Sequence, residues 1–405
     1  MRELSNWLDS YVTYVDNTES AKIFHKWTAL AVIAAVLRKK IKLNLGRINV
    51  YPNMYVVLVG PPGGPRKSQA ITFGMDFLRE IPDIVLSADA ITPQALIQDL
   101  ESSAMDEVLP NGEKLEHASL TAVSKELESF LGQRGENTKM IITLTDLFDA
   151  NELPWKYRTK HYGTNVIPSV FLNLFAATTP DSIGSSFPLN AIGGGLSSRI
   201  VFVWAEKREK KVTVPGWTPE ELVLKEKLHK DLFTISRMAG TYKYTSESFK
   251  FWDNWYHSYE AQSTSRICRD NLFNGWYERK PLYVQKLSII HAAATTSKLL
   301  LEIPHIESAL NVLAETEVEM SNVFRAMGRS TIAADVDVVG NIIQGRKWIT
   351  EEQLTSLIWR DIDALKFDNV INTLKKRGHV KRYYEGPEGE KGQVWYKYVG
   401  SDFNL

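Results

Sequence analysis

Only one of the 405 residues is a cysteine, Cys268, so neither an internal disulfide framework nor a cysteine-based zinc site can form, which fits a reducing compartment. Excess charge is also missing. The 48 Lys and Arg balance 48 Asp and Glu, so no global field draws the chain onto nucleic acid, and such binding must come from local patches. The longest apolar run, Ala29 to Leu37, is far short of the ~20 residues that a membrane span needs. The opening Met-Arg-Glu-Leu-Ser-Asn-Trp lacks the apolar stretch of a secretory leader. Together these absences lead us to expect a soluble cytoplasmic protein with no membrane partner. There are no internal repeats and no low-complexity tract.

What is present is 44% hydrophobic residues, enough for a sizeable core and two or three domains. Residues 1–50 read as a helical N-terminal region, with a long apolar helix from Ser20 to Leu37 ending at the basic Arg38-Lys39-Lys40. Residues 51–210 alternate apolar runs (Tyr55–Val59, Ile84–Ser87, Leu120–Val123, Val170–Ala177, Ile200–Trp204) with helical segments. That alternation predicts a mainly parallel, three-layer α/β sheet. Residues 211–330 read as a helical lid, and Thr331 to Asp337 as a linker. The segment 335–405 predicts three helices and a hairpin, a winged helix, with a capping box at Thr350 and Gln353 and a helix-ending glycine at Gly378.

The strand Tyr55–Val59 runs into Gly60-Pro-Pro-Gly-Gly-Pro-Arg-Lys67-Ser68-Gln69. A strand, a Gly/Pro loop and then a helix make a phosphate cradle: backbone N–H groups and the positive helix end face the same anion. Lys67 would reach the outer phosphates of ATP and Ser68 would hold Mg²⁺. The candidate nucleotide site is Gly60, Gly63, Gly64, Arg66, Lys67, Ser68 and Gln69. It departs from G-x-x-x-x-G-K-[ST] twice: Arg66 stands where glycine precedes the lysine, and Gly60 lies one place too far away. A plain strand-to-helix turn is the alternative.

Further along, Glu126 follows an apolar strand and is the candidate general base. Lys125 stands where an acid commonly orders Mg²⁺. Thr178 and Thr179 end another strand, where a hydroxyl can sense the γ-phosphate or simply cap the next helix. Arg199 follows a Gly run and precedes a strand, a place for an arginine finger acting on a neighbouring subunit. Lys156, Arg158, Lys160 and His161 interleave with Trp155, Tyr157 and Tyr162, a pattern for contact with single-stranded DNA. Lys375, Lys376, Arg377, Lys381 and Arg382 cluster where the third helix meets the wing, for contact with duplex backbone.

Tyr51-Pro-Asn-Met-Tyr-Val-Val-Leu-Val-Gly with Arg66-Lys67-Ser68, Ile91-Thr-Pro-Gln-Ala-Leu, Ser124-Lys-Glu126-Leu-Glu, Gly194-Gly-Leu-Ser-Ser-Arg199 and Trp276-Tyr-Glu-Arg279-Lys resemble the P-loop helicase-like ATPases of phages and plasmids. The Gly-Leu-Ser-Ser-Arg segment also looks like the arginine-finger motif of MCM and related AAA+ helicases. The resemblance spans roughly residues 20 to 325. It implies an AAA+-like, ring-forming, hexameric replicative DNA helicase, a primase or polymerase as partner, nucleotide at Lys67 and Ser68, water activation by Glu126, sensing by Thr179, Arg199 as finger and Arg279 as a second sensor. The alternative is an ATP switch, a helicase loader or a transposition or partition regulator, that assembles on DNA without unwinding it. A nucleotide-binding protein without turnover is a third reading.

Overall fold

A computed structural model describes residues 2–400 except 88–90, 111, 133–136, 160–162, 188–193, 265, 325–330, 360–361 and 363. The chain forms two compact units, Met1–Phe324 and Arg325–Leu405.

The first unit is built on a six-stranded α/β sheet. Five strands run parallel in the spatial order Val201–Trp204, Tyr55–Val59, Val170–Thr178, Lys114–Ser124, Val85–Leu86. Ala104–Val108 pairs antiparallel with the first half of Lys114–Ser124. Tyr55–Val59 and Val170–Thr178 are buried at every position. Such near-continuous apolar strands, broken within Val170–Thr178 only by Asn173 and the terminal Thr178, are what a sheet covered on both faces requires. The helix Lys22–Leu37 is buried nearly all round, and a Cβ on Gly74 of the helix Lys67–Arg79 would lie 2.5 Å from Thr28 Cγ2. Glycine there lets the two helices approach closely while Phe175 packs beneath them. On the Tyr55 side of the sheet, the Tyr55 hydroxyl donates to the Leu144 carbonyl of the helix Asn137–Leu147.

The helical reading of 1–50 holds only to Leu37. Ile41–Asn44 and Asn49–Val50 are strands, and the segment expected as a helical lid contributes Gly240–Tyr244 and Leu300–Leu301. These make a second, mixed sheet in the order Leu300–Leu301, Gly240–Tyr244, Ile41–Asn44, Asn49–Val50. Strands of two to five residues carry too few alternations to stand out from helical neighbours.

The second unit has helices Thr331–Arg346, Glu351–Ile358 and Ala364–Lys376 and an antiparallel sheet in the order Trp348–Thr350, Lys391–Tyr398, Val380–Glu385. Thr331 to Asp337, expected as a linker, begins the first of these helices. Val336, Val339, Ile349, Leu354, Val370, Leu374, Val380 and Tyr396 form the unit's core. The Thr350–Gln353 capping box is present, and Gly378 has φ +77°.

Candidate functional site

The loop after Tyr55–Val59 begins at a glycine whose surroundings leave no room for a side chain. A Cβ on Gly60 would meet the Ala205 carbonyl oxygen at 2.3 Å and Pro65 Cγ at 2.7 Å. Gly63 takes φ +69°, and the Gly64 N–H donates to the Pro62 carbonyl at 2.8 Å. Arg66 adopts φ 55°, ψ 42°, so the place that usually holds glycine keeps a left-handed conformation without one. That costs an L-residue about 1–2 kcal/mol. Its guanidinium is anchored to Glu19 Oε2 at 2.9 Å, an oxygen that also accepts from Arg208 at 2.7 Å. The Ser20 hydroxyl bonds to the Arg66 carbonyl and to Gln69 Oε1. Arg66 and Gln69 are therefore engaged with residues 19–20 at the flank of the loop.

Lys67 opens the helix Lys67–Arg79, and its side chain folds back into the loop. Nζ donates to the carbonyls of Gly60 at 2.6 Å and Pro61 at 3.0 Å. Burial lowers its pKa to about 8. Ser68 is exposed on the first helical turn.

Parallel pairing brings the other candidates to the same sheet edge. Val59 pairs with Thr178 and Ala176 with Ser124, so the ends of the three strands lie side by side at the carboxyl edge. Glu126 is exposed one step beyond, its backbone fixed by Ser124 Oγ, which donates to the Glu126 carbonyl and accepts from its N–H. Two interstrand spacings, about 10 Å, separate its strand from that of the loop. The Thr179 hydroxyl accepts from the Ser182 N–H and bonds to Ser182 Oγ, so it caps the helix Pro180–Ser186. The less committed hydroxyl is that of Thr178, with one 3.4 Å contact to the Thr179 carbonyl.

Arg199 lies at the opposite edge. It closes a single 3₁₀ turn before Val201–Trp204, donates to the Gly195 carbonyl at 3.0 Å and faces Asp149 at 3.5 Å. Four strand residues, about 13 Å of sheet, separate it from the carboxyl edge. Arg279 sits on the helix Asn274–Thr295, whose Tyr283 hydroxyl donates to the Ser198 carbonyl. The fully buried Lys286 of that helix donates to the Tyr51 carbonyl and to both oxygens of Asn53. Burial lowers the pKa of Arg279 and the charge of Arg199 adds to the shift, against Tyr283 and Asp149. The groups whose charge Arg279 feels are thus Arg199, Tyr283 and Asp149.

The segment from Trp155 is a hairpin, Trp155–Thr159 paired with Gly163–Ile167. Its interleaved pattern separates by period two into two faces. Trp155 and Tyr157 stack at 5.6 Å on one, with Trp155 Nε1 donating to Asp146. Lys156 and Arg158 are exposed on the other. Lys160, His161 and Tyr162 lie outside the described residues. In the second unit Lys375, Lys376, Arg377 and Lys381 are exposed, while Arg382 is drawn to Glu351 at 3.6 Å and lies over the Tyr384 ring.

Sequence reading missed Glu19, Arg208 and Asp149, which gain meaning only from contacts made far along the chain. Among the described residues no group of three or more His, Cys, Asp or Glu side chains is placed to hold a metal. No helix among them is long and apolar enough to cross a membrane. No protein-family model matches this chain, and a search of curated proteins returns no match.

Proposed function

We propose that the chain is an AAA+-like ATPase of the phage and plasmid helicase-like kind, which assembles into a ring and moves along DNA by hydrolysing ATP. One observation carries the reading: the buried Lys67 ammonium is wrapped by its own loop at the sheet edge shared by Glu126 and Thr178, while Arg199 stands at the other edge. Ligands of open α/β sheets bind beyond the carboxyl ends of the strands.

On this reading, phosphate oxygens replace the Gly60 and Pro61 carbonyls as acceptors for Lys67, and loop N–H groups with the helix end hold the remaining charge. Ser68 offers the hydroxyl for Mg²⁺, which would neutralise charge on the phosphates. Glu126 takes a proton from water attacking the terminal phosphate, and Thr178 hydrogen-bonds near that phosphate. Arg199 completes only a neighbour's site, because its own lies across the sheet. Lys156 and Arg158 supply a charged hairpin face to a DNA strand. The three helices and three-stranded sheet of the second unit support its reading as a winged helix, with Lys375, Lys376, Arg377 and Lys381 toward duplex backbone.

The test is ATP turnover with and without single-stranded DNA, together with displacement of a strand from a forked duplex. Lys67→Ala should abolish both activities. Turnover without displacement would favour the loader or regulator reading, and failure to bind ATP would sink the proposal.

A further inference from the structure

We infer that the face of the three-stranded sheet turned away from the C-terminal unit's own core is a stacking platform for single-stranded nucleic acid, separate from the cations at the helix end. Alternation along the strands splits the side chains into two sets. Ile349, Val380 and Tyr396 point into the helical core. The opposite face carries Trp348, Tyr383 and Trp395, all half-buried, which gather into one cluster. Trp348 lies 5.0 Å from Tyr383 and 6.4 Å from Trp395, and the register sets Tyr383 directly opposite Trp395. Cross-strand aromatic pairs alone would stabilise the hairpin by about 0.2–1 kcal/mol each.

The lysines beside them do not fit a purely stabilising role. Register places Lys381 directly opposite Lys397, and Trp348 flanks Lys397 on its other side. Like charges facing each other across strands weaken a sheet. Lys397 offsets part of this by lying 4.9 Å from the centre of the Trp348 ring. A row of two cations beside a row of two aromatic rings matches a polymer with an anionic backbone and flat bases. The carboxylate of Glu385 is near Lys391, at 4.0 Å. The inference does not rest on the ATPase reading, since stacking and phosphate contact here need no nucleotide.

The test uses the full chain without nucleotide, with fluorescein-labelled 20-mers of deoxythymidine and of uridine read by anisotropy. Tyr383→Leu should weaken binding at least about fivefold, the lower limit for losing one stacked base. Tyr383→Phe keeps the ring and should bind as the parent does. Lys381→Gln with Lys397→Gln should flatten the salt dependence by about 1.4 in log–log slope. An oligonucleotide with abasic sites in place of its bases should bind the parent more weakly, and Tyr383→Leu should no longer discriminate. A preference for either the DNA or the RNA 20-mer supports the platform and names its source. Unchanged affinity in Tyr383→Leu, equal binding of the abasic oligonucleotide, or an equal loss for a blunt 20-base-pair duplex would overturn it.

Discussion

On the proposed function, Lys67 would link proton binding to phosphate binding. Burial lowers its pKa to about 8, and a phosphate partner favours the charged form, raising the pKa in the complex. Below pH 8 the ammonium is already charged and affinity should be flat. Above pH 8 a proton must be taken up on binding, so ATP affinity should fall by up to tenfold per pH unit. Calorimetry at pH 8 in buffers of different ionisation enthalpy should show proton uptake that Lys67→Met lacks. At the neighbouring position, Arg66→Gly removes left-handed strain of about 1–2 kcal/mol and an ion pair worth about 0–1 kcal/mol. Its melting temperature should therefore hold or rise slightly. Thr179→Ala should cost about 0.5–2 kcal/mol as a lost cap with turnover kept, whereas Thr178→Val should slow turnover with stability kept. At this scale the sequence pointed to the residues on which the proposed function rests, Lys67, Ser68 and Glu126. It could not show that the Thr179 hydroxyl is spent on Ser182, nor that Arg66 turns to Glu19, 47 positions earlier.

For the elements, the hairpin Trp155–Ile167 makes the sharpest claim. Because Lys156 and Arg158 share the exposed face, Lys156→Glu with Arg158→Glu should reduce DNA-stimulated turnover and the salt sensitivity of DNA binding, leaving basal turnover intact. Trp155→Ala should act differently, loosening the hairpin by removing the stack on Tyr157 and the bond to Asp146, and so lowering the melting temperature. The long apolar strands and helices were legible because burial on both faces writes itself as near-continuous runs at Tyr55–Val59 and Val170–Thr178. The hairpin was read only as a basic, aromatic loop. Its strands are short, and the split into two faces depends on pairing between Lys156 and Val166 that no local pattern encodes.

For the whole molecule, the placement of Arg199 and Lys67 at opposite sheet edges would, on the proposed function, make turnover a property of assemblies. Subunits carrying Lys67→Ala and subunits carrying Arg199→Ala should each be inactive alone. Mixed in equal amounts they should recover about a quarter of the parental turnover, since random neighbours pair an intact lysine with an intact arginine that often. No recovery would mean that Arg199 does not act on a neighbour's site. The α/β class and the helical-plus-hairpin end of the chain were visible from 3.6- and two-residue periods. The second sheet was not, because it joins segments from both sides of the core, and pairing over that distance leaves no mark on either segment alone.

That second sheet also bears on how the protein comes off the ribosome. Ile41 must wait for Gly240 before it has its parallel neighbour, about 10–40 s at ordinary elongation rates. For that interval a nascent strand edge stays open to mispairing, so slowing synthesis or withholding chaperones should divert newly made chains into aggregates.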